Sequence, residues 1–135
     1  MPEPFLDTNI VLRHVLGDHP DQSPRATAFL QQVENGLLRV HTSDVVVFEV
    51  VFTLQRTYRI PKADIRDVVL PLLALSGIVL PGKRRFIRVF ELYVEHNIAF
   101  ADAYHAVLMQ QRGLTQIVSF DLEFDRISAI TRIGP

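Results

Sequence analysis

Cysteine is absent from this chain, and with it go disulfide bonds, thiolate nucleophiles and the sulfur ligands of zinc sites. Zinc would have to rest on histidine and carboxylates, so hard metals bound through oxygen are the better expectation. Long apolar runs are missing too. Nothing in the sequence is long enough to span a bilayer, and no charged stretch followed by an apolar one opens it as a signal peptide would. These absences predict a cytoplasmic protein. An excess of one charge is also lacking: the net charge is −1, so nucleic-acid binding is not advertised by bulk electrostatics and would have to rest on local patches. Internal repeats and low-complexity segments do not occur.

What is present is the composition of an ordinary globular domain. With 135 residues, 48% hydrophobic and 21% charged, the chain can bury one core and is too short for two. A single domain over residues 1–135 is expected. Two basic clusters stand out, Lys83-Arg84-Arg85 with Arg88 one turn on, and Arg56, Arg59 and Lys62. Each is either a solvated helix face or a track for a polyanion.

Short apolar stretches alternate with longer helical patterns along the chain. Pro4 to Leu6 reads as a strand that stops on Asp7, and Thr8 to Leu16 as a short helix ended by Gly17-Asp18-His19-Pro20. Ser23-Pro24 has the form of a cap with proline at the first helical position, opening a helix that lasts to Asn35-Gly36. Leu37 to His41 reads as a buried strand. Thr42 to Tyr58 contains a β-branched run, yet Ser43 or Asp44 is a good N-cap and Val46, Val47, Val50, Val51, Leu54 and Tyr58 form a helical stripe, so a helix is predicted. Pro61 begins another, which Pro71 should kink or divide. Ile78 to Leu80 is the next strand, followed by a basic helix from Lys83 to His96 with Phe86, Val89, Phe90 and Tyr93 inward. Asp102 begins an alanine-rich helix closed by Gly113. Gln116 to Phe120 is a strand ending on Asp121, and Ala129 to Arg132 a last short one.

Strands alternating with helices imply parallel strands joined by right-handed crossovers and covered on both faces. In that layout Asp7 and Asp121 emerge at strand carboxyl ends, where open α/β sheets place ligands, while Glu49 and Asp102 lie in the first turns of helices that follow such ends. Each acid has a plainer explanation: Glu49 as an ion-pair partner of Arg56, Asp102 as a capping acid. Brought to one crevice, the four would repel unless a cation sat among them, and carboxylates plus water are what Mg²⁺ or Mn²⁺ prefers. Such an ion activates water and stabilises charge on a phosphoryl oxygen, which points to phosphodiester hydrolysis.

Phe5-Leu6-Asp7-Thr8-Asn9, Val47-Phe48-Glu49-Val50, Phe100-Ala101-Asp102-Ala103 and Ile117-Val118-Ser119-Phe120-Asp121, the last followed by Glu123-Phe124-Asp125, occur in an order and spacing that resembles the PIN-domain ribonucleases, most of all the VapC-type toxins of toxin–antitoxin pairs. The resemblance implies a three-layer α/β/α domain with a central parallel sheet of four or five strands. It implies Asp7, Glu49, Asp102 and Asp121 as catalytic residues and ligands of Mg²⁺ or Mn²⁺, with Asn9 and Ser119 supporting them by hydrogen bonds. It further implies an RNA substrate cleaved through metal-activated water, a cognate antitoxin protein and a homodimer. Arg84, Arg85 and Arg88 are the candidates for holding RNA. Asp125 is expected at the surface paired with Arg126, and His105 exposed or hydrogen-bonded, although its place one helical turn after Asp102 permits a ligand role. Two other readings stay open: a PIN-like module that binds RNA or an antitoxin without chemistry, and a receiver-like phosphoacceptor. The latter wants an Asp at the end of the third strand, where Leu80-Pro81-Gly82 has none.

Overall fold

A computed structural model describes residues 2–135. They form two compact units, the first ending at Lys83 and the second running from Arg84 to Pro135.

The first unit contains α1 (Thr8–Leu16), α2 (Gln22–Glu34), β1 (Val40–His41), α3 (Asp44–Arg56), α4 (Lys62–Leu73) and β2 (Ile78–Val79). β1 is its centre, because successive residues of a strand present their backbone groups to opposite edges. On one edge Val40 N–H donates to Gly77 O at 2.8 Å and Thr42 N–H to Val79 O at 3.0 Å, which builds the parallel pair with β2. On the other, His41 N–H donates to Pro4 O at 2.9 Å and Leu6 N–H to His41 O at 2.7 Å. The expected first strand is thus one parallel bridge, Phe5 to His41. Proline at position 4 has no N–H to extend it.

Helix boundaries follow the capping chemistry. Ser43 Oγ accepts from Val46 N–H at 3.3 Å and starts α3, whose valine stripe is buried as its spacing predicts. α2 begins at Gln22, earlier than the Ser23-Pro24 cap would have it. Ser23 Oγ instead accepts from His19 N–H, and Pro24 falls in the first turn, where the missing N–H leaves no intrahelical bond unmade. Pro71 does not divide α4, which runs unbroken to Leu73. Gly77 is required for a spatial reason: a Cβ there would lie 2.8 Å from Val33 Cγ1 and 2.9 Å from Leu38 O, so only glycine brings the start of β2 this close to the end of α2.

The second unit contains α5 (Arg85–Glu95), α6 (Phe100–Gln111), β3 (Gln116–Val118), a 3-10 turn (Leu122–Arg126) and β4 (Thr131–Ile133). β3 and β4 are parallel, with Ile117 opposite Arg132. Phe86, Phe90 and Tyr93 of α5 close around Phe100, with ring centroids 6.2, 5.0 and 5.2 Å away. This aromatic clamp, worth roughly 0.5–1.5 kcal/mol per pair beyond burial, fixes the first residue of α6. The helix therefore starts at Phe100 with Ala99 as N-cap, not at Asp102 as its capping propensity suggests.

The chain is α/β, and every strand pairing among the described residues is parallel. The expected sheet of four or five strands is not among the pairings of the described residues, which form two two-stranded sheets and one isolated bridge. No helix among the described residues is long and apolar enough to cross a membrane.

Candidate functional site

In the second unit three acids converge. Carboxylate oxygens of Asp102, Asp121 and Glu123 all lie within 4.8 Å of one another. Asp102 is the third residue of α6, held one half-turn beyond the clamped Phe100. Asp121 follows β3 as the N-cap of the 3-10 turn, where its Oδ1 accepts from Glu123 N–H at 2.9 Å. Ser119 supports it from behind, its Oγ accepting from Asp121 N–H at 2.9 Å. Glu123 is tied to the start of α6, its Oε2 accepting from Ala99 N–H at 3.2 Å.

Crowding sets the electrostatics of this cluster. Partial burial of Asp102, then its hydrogen bond with Asp121 and the negative charges of Asp121 and Glu123, push its carboxyl up to about 7. Asp121 moves the other way, held below the usual carboxylate range first by the hydrogen bond from Asp102 and then by the Glu123 N–H. In such a pair like charge resists the second ionisation. A divalent cation would relieve that repulsion, and the three carboxylates are a group that could hold a metal ion through oxygen.

The first unit carries the other two acids. Asp7 occupies the N-cap position of α1 in extended backbone geometry, without a side-chain capping hydrogen bond, at the carboxyl side of the bridged Phe5. Glu49 stands on α3 and is solvent-exposed, so the apolar residues around it in sequence do not bury it. Its Oε2 accepts from the hydroxyl of Thr8 at 3.0 Å. Thr8 is itself buried and directly follows Asp7, so one hydroxyl ties Glu49 to the segment that carries Asp7. The alternative pairing with Arg56 does not form: that guanidinium lies over the Phe52 ring, 5.8 Å from its centroid.

Comparison with known proteins places the chain in a family. The PIN domain model matches residues 5–130, across both units. The chain belongs to the PIN domain family. It is also similar to a VapC ribonuclease of Aquifex aeolicus (strain VF5), with 25% identity over 126 residues that cover 91% of this chain and 90% of the relative.

Several other candidate residues of this PIN domain are engaged differently from their sequence reading. Lys83 does not begin a basic helix; its ammonium donates to Leu75 O at 2.8 Å and Ile78 O at 2.9 Å, and burial lowers its pKa. Arg85 donates to Tyr104 Oη at 3.0 Å, and Arg88 is paired with Glu91. Arg84 is exposed. Asp125 is paired with Arg132 at 3.1 Å, not with Arg126, whose guanidinium donates to Asn97 O at 3.0 Å. The register of β3 and β4 explains the exchange, since it fixes Arg132 opposite Ile117. Asn9 lines a groove between α1 and α2 with Arg13 and Arg25. His105 is exposed. The residue that sequence reasoning passed over is Glu123. Its signal was the Asp-x-Glu spacing after a strand, which lets the first acid cap a turn and the second reach back.

Proposed function

We propose that this protein is a metal-dependent ribonuclease, the toxin of a toxin–antitoxin pair, using Asp7, Glu49, Asp102 and Asp121 as metal-binding acids, with Glu123 as a further donor. The observation that carries this reading is the convergence of Asp102, Asp121 and Glu123 within 4.8 Å, in a chain of a family whose similar member is named a ribonuclease. A bound Mg²⁺ or Mn²⁺ would supply charge neutralisation at a phosphoryl oxygen and lower the pKa of water. The chain's own residues do the positioning. Ser119 and the Glu123 N–H hold the Asp121 region, the aromatic clamp on Phe100 holds Asp102, and Thr8 orients Glu49. No side-chain nucleophile is needed. Arg84, Arg85 and Arg88 remain proposed RNA contacts, with Arg84 the most available of the three.

The test is cleavage of single-stranded or looped RNA by the purified protein. Activity is expected with Mg²⁺ or Mn²⁺ and none in excess EDTA; cleavage that survives EDTA would overturn the proposal. A PIN-like module without chemistry would bind RNA or an antitoxin in either condition and cut nothing.

The same reading includes a homodimer and a cognate antitoxin. Exposed large apolar side chains such as Phe52, Val45, Phe120 and Leu122 supply surface for association, although scattered apolar exposure is common on monomers. Light scattering at micromolar concentration should give twice the monomer mass. A monomer would count against it.

A further inference from the structure

We propose that a groove in the second unit, between α6 and β3, takes a single-stranded RNA segment leading away from the acid cluster, with Arg112 holding a backbone phosphate. The inference rests on the ribonuclease reading and adds to it the direction of the substrate and the residue that grips it.

The groove has a volume of about 510 Å³ and is lined by Asp102, His105, Met109 and Arg112 of α6, facing Gln116 and Ser119. The four α6 residues recur at the spacing of one helix face, and from Asp102 to Arg112 the helix rises roughly 15 Å. One end of the groove is therefore the proposed reaction centre, through Asp102, and the other is a guanidinium. Between them the walls are mixed. Leu108 and Ile117 offer apolar surface for base faces, and the exposed His105 and Gln116 offer donors and acceptors for base edges. Aromatic rings that stack on bases beside cations that track the backbone are the pattern of single-strand recognition, and the exposed His105 ring lines this groove.

Arg112 is the deciding residue. Among the described residues its side chain has neither an acid nor a hydrogen-bonding partner, whereas Arg88 and Arg132 are neutralised by Glu91 and Asp125. It is exposed at the C-cap of α6. A cation there also complements the helix dipole, but that role requires no groove and no apolar wall opposite. An acidic protein segment would satisfy the guanidinium too. RNA is favoured because a strand held at Arg112 can run on to Asp102, where the chemistry is placed.

The experiment compares wild type, Arg112→Gln and Arg112→Lys in Mg²⁺ on single-stranded RNA, with RNA binding in EDTA measured alongside by fluorescence anisotropy. Arg112→Gln is expected to raise KM by about tenfold and leave kcat within about twofold, because the contact is equal in ground and transition states. The slope of log affinity against log salt should shrink by about 0.7, one phosphate of a single strand. Arg112→Lys keeps the charge and should keep the slope. If wild type cleaves RNA but Arg112→Gln changes neither KM nor salt slope, the groove assignment is overturned and the ribonuclease reading stands; a lower melting temperature alone would identify Arg112 as a helix cap. If wild type neither binds nor cleaves RNA, the ribonuclease reading fails first. Binding of a polyglutamate peptide, lost in Arg112→Gln, would then assign the groove to an acidic protein segment and overturn the RNA proposal.

Discussion

Replacing Asp102 with asparagine should remove nearly all Mg²⁺-dependent RNA cleavage while leaving the metal-free protein more stable at neutral pH. Loss of a hydrogen-bond partner behind a metal ligand typically costs about 10- to 100-fold in affinity or activity, so loss of a ligand itself should cost more than about 100-fold. The stability change has the opposite sign because Asp102 is a burden in the apo protein. Its carboxyl is raised from 3.8 to about 7 by burial and by Asp121 and Glu123. Between those values the folded protein keeps a proton that the unfolded chain releases, so stability falls as pH rises through this window and is flat above it. Asp121, held below its ordinary value, contributes stability above the unfolded carboxylate range that is lost only as pH falls through its own lower pKa. The two windows are therefore separate. Melting temperatures in EDTA near pH 5 and pH 7.5 should differ for wild type and converge for Asp102→Asn. Addition of Mg²⁺ should raise the wild-type melt more at the higher pH, since proton and cation compete for the same oxygens. Equal pH dependence in both proteins would remove the basis for treating Asp102 as the strained member of the cluster.

The parts of this architecture that were legible in the sequence are those governed by neighbours along the chain. α3 was readable because Ser43 caps it and its valines repeat with helical period, and that local agreement overrode the β-branched composition. The inward face of α5 was readable from its helical period alone. What escaped is what depends on groups far apart in sequence. α6 starts at Phe100 because rings from α5 hold it, a tertiary effect that no capping rule contains. Lys83 reads as the head of a basic patch, yet carbonyls at Leu75 and Ile78 take its ammonium. Asp125 reads as the partner of its neighbour Arg126, yet the pairing of β3 with β4 supplies Arg132 instead. Asp102 and Asp121, which the structure brings together, could be named from motif and order. Glu123 showed only its spacing after Asp121; its reach to the Ala99 N–H depends on the 3-10 turn that Asp121 caps.

Glu49→Gln separates function from fold more sharply than any change in the second unit. Glu49 is exposed and, among the described residues, pairs with no arginine and accepts one hydrogen bond, from Thr8. The glutamine side chain keeps a carbonyl oxygen of the same reach, so that bond survives, and an exposed substitution without other partners changes stability by about 0.5 kcal/mol or less. Metal binding is another matter: a neutral amide oxygen is a poorer donor to a hard divalent cation than a carboxylate. If Glu49 is a metal-binding acid, Glu49→Gln should melt with wild type in EDTA, gain much less than wild type from Mg²⁺, and lose cleavage by more than about 100-fold, again beyond the cost of losing a supporting hydrogen bond. Thr8→Val provides the graded control. It removes the hydroxyl that orients Glu49 while keeping its volume, and should cost about 10- to 100-fold in activity. A purely structural Glu49 predicts a different pattern, in which Glu49→Gln cleaves at the wild-type rate while folded. Melting curves in EDTA and in Mg²⁺, measured beside cleavage rates for all three proteins, distinguish the two. A Glu49→Gln protein with normal cleavage would remove Glu49 from the metal-binding set and leave Thr8 as an ordinary buried hydroxyl with a surface acceptor.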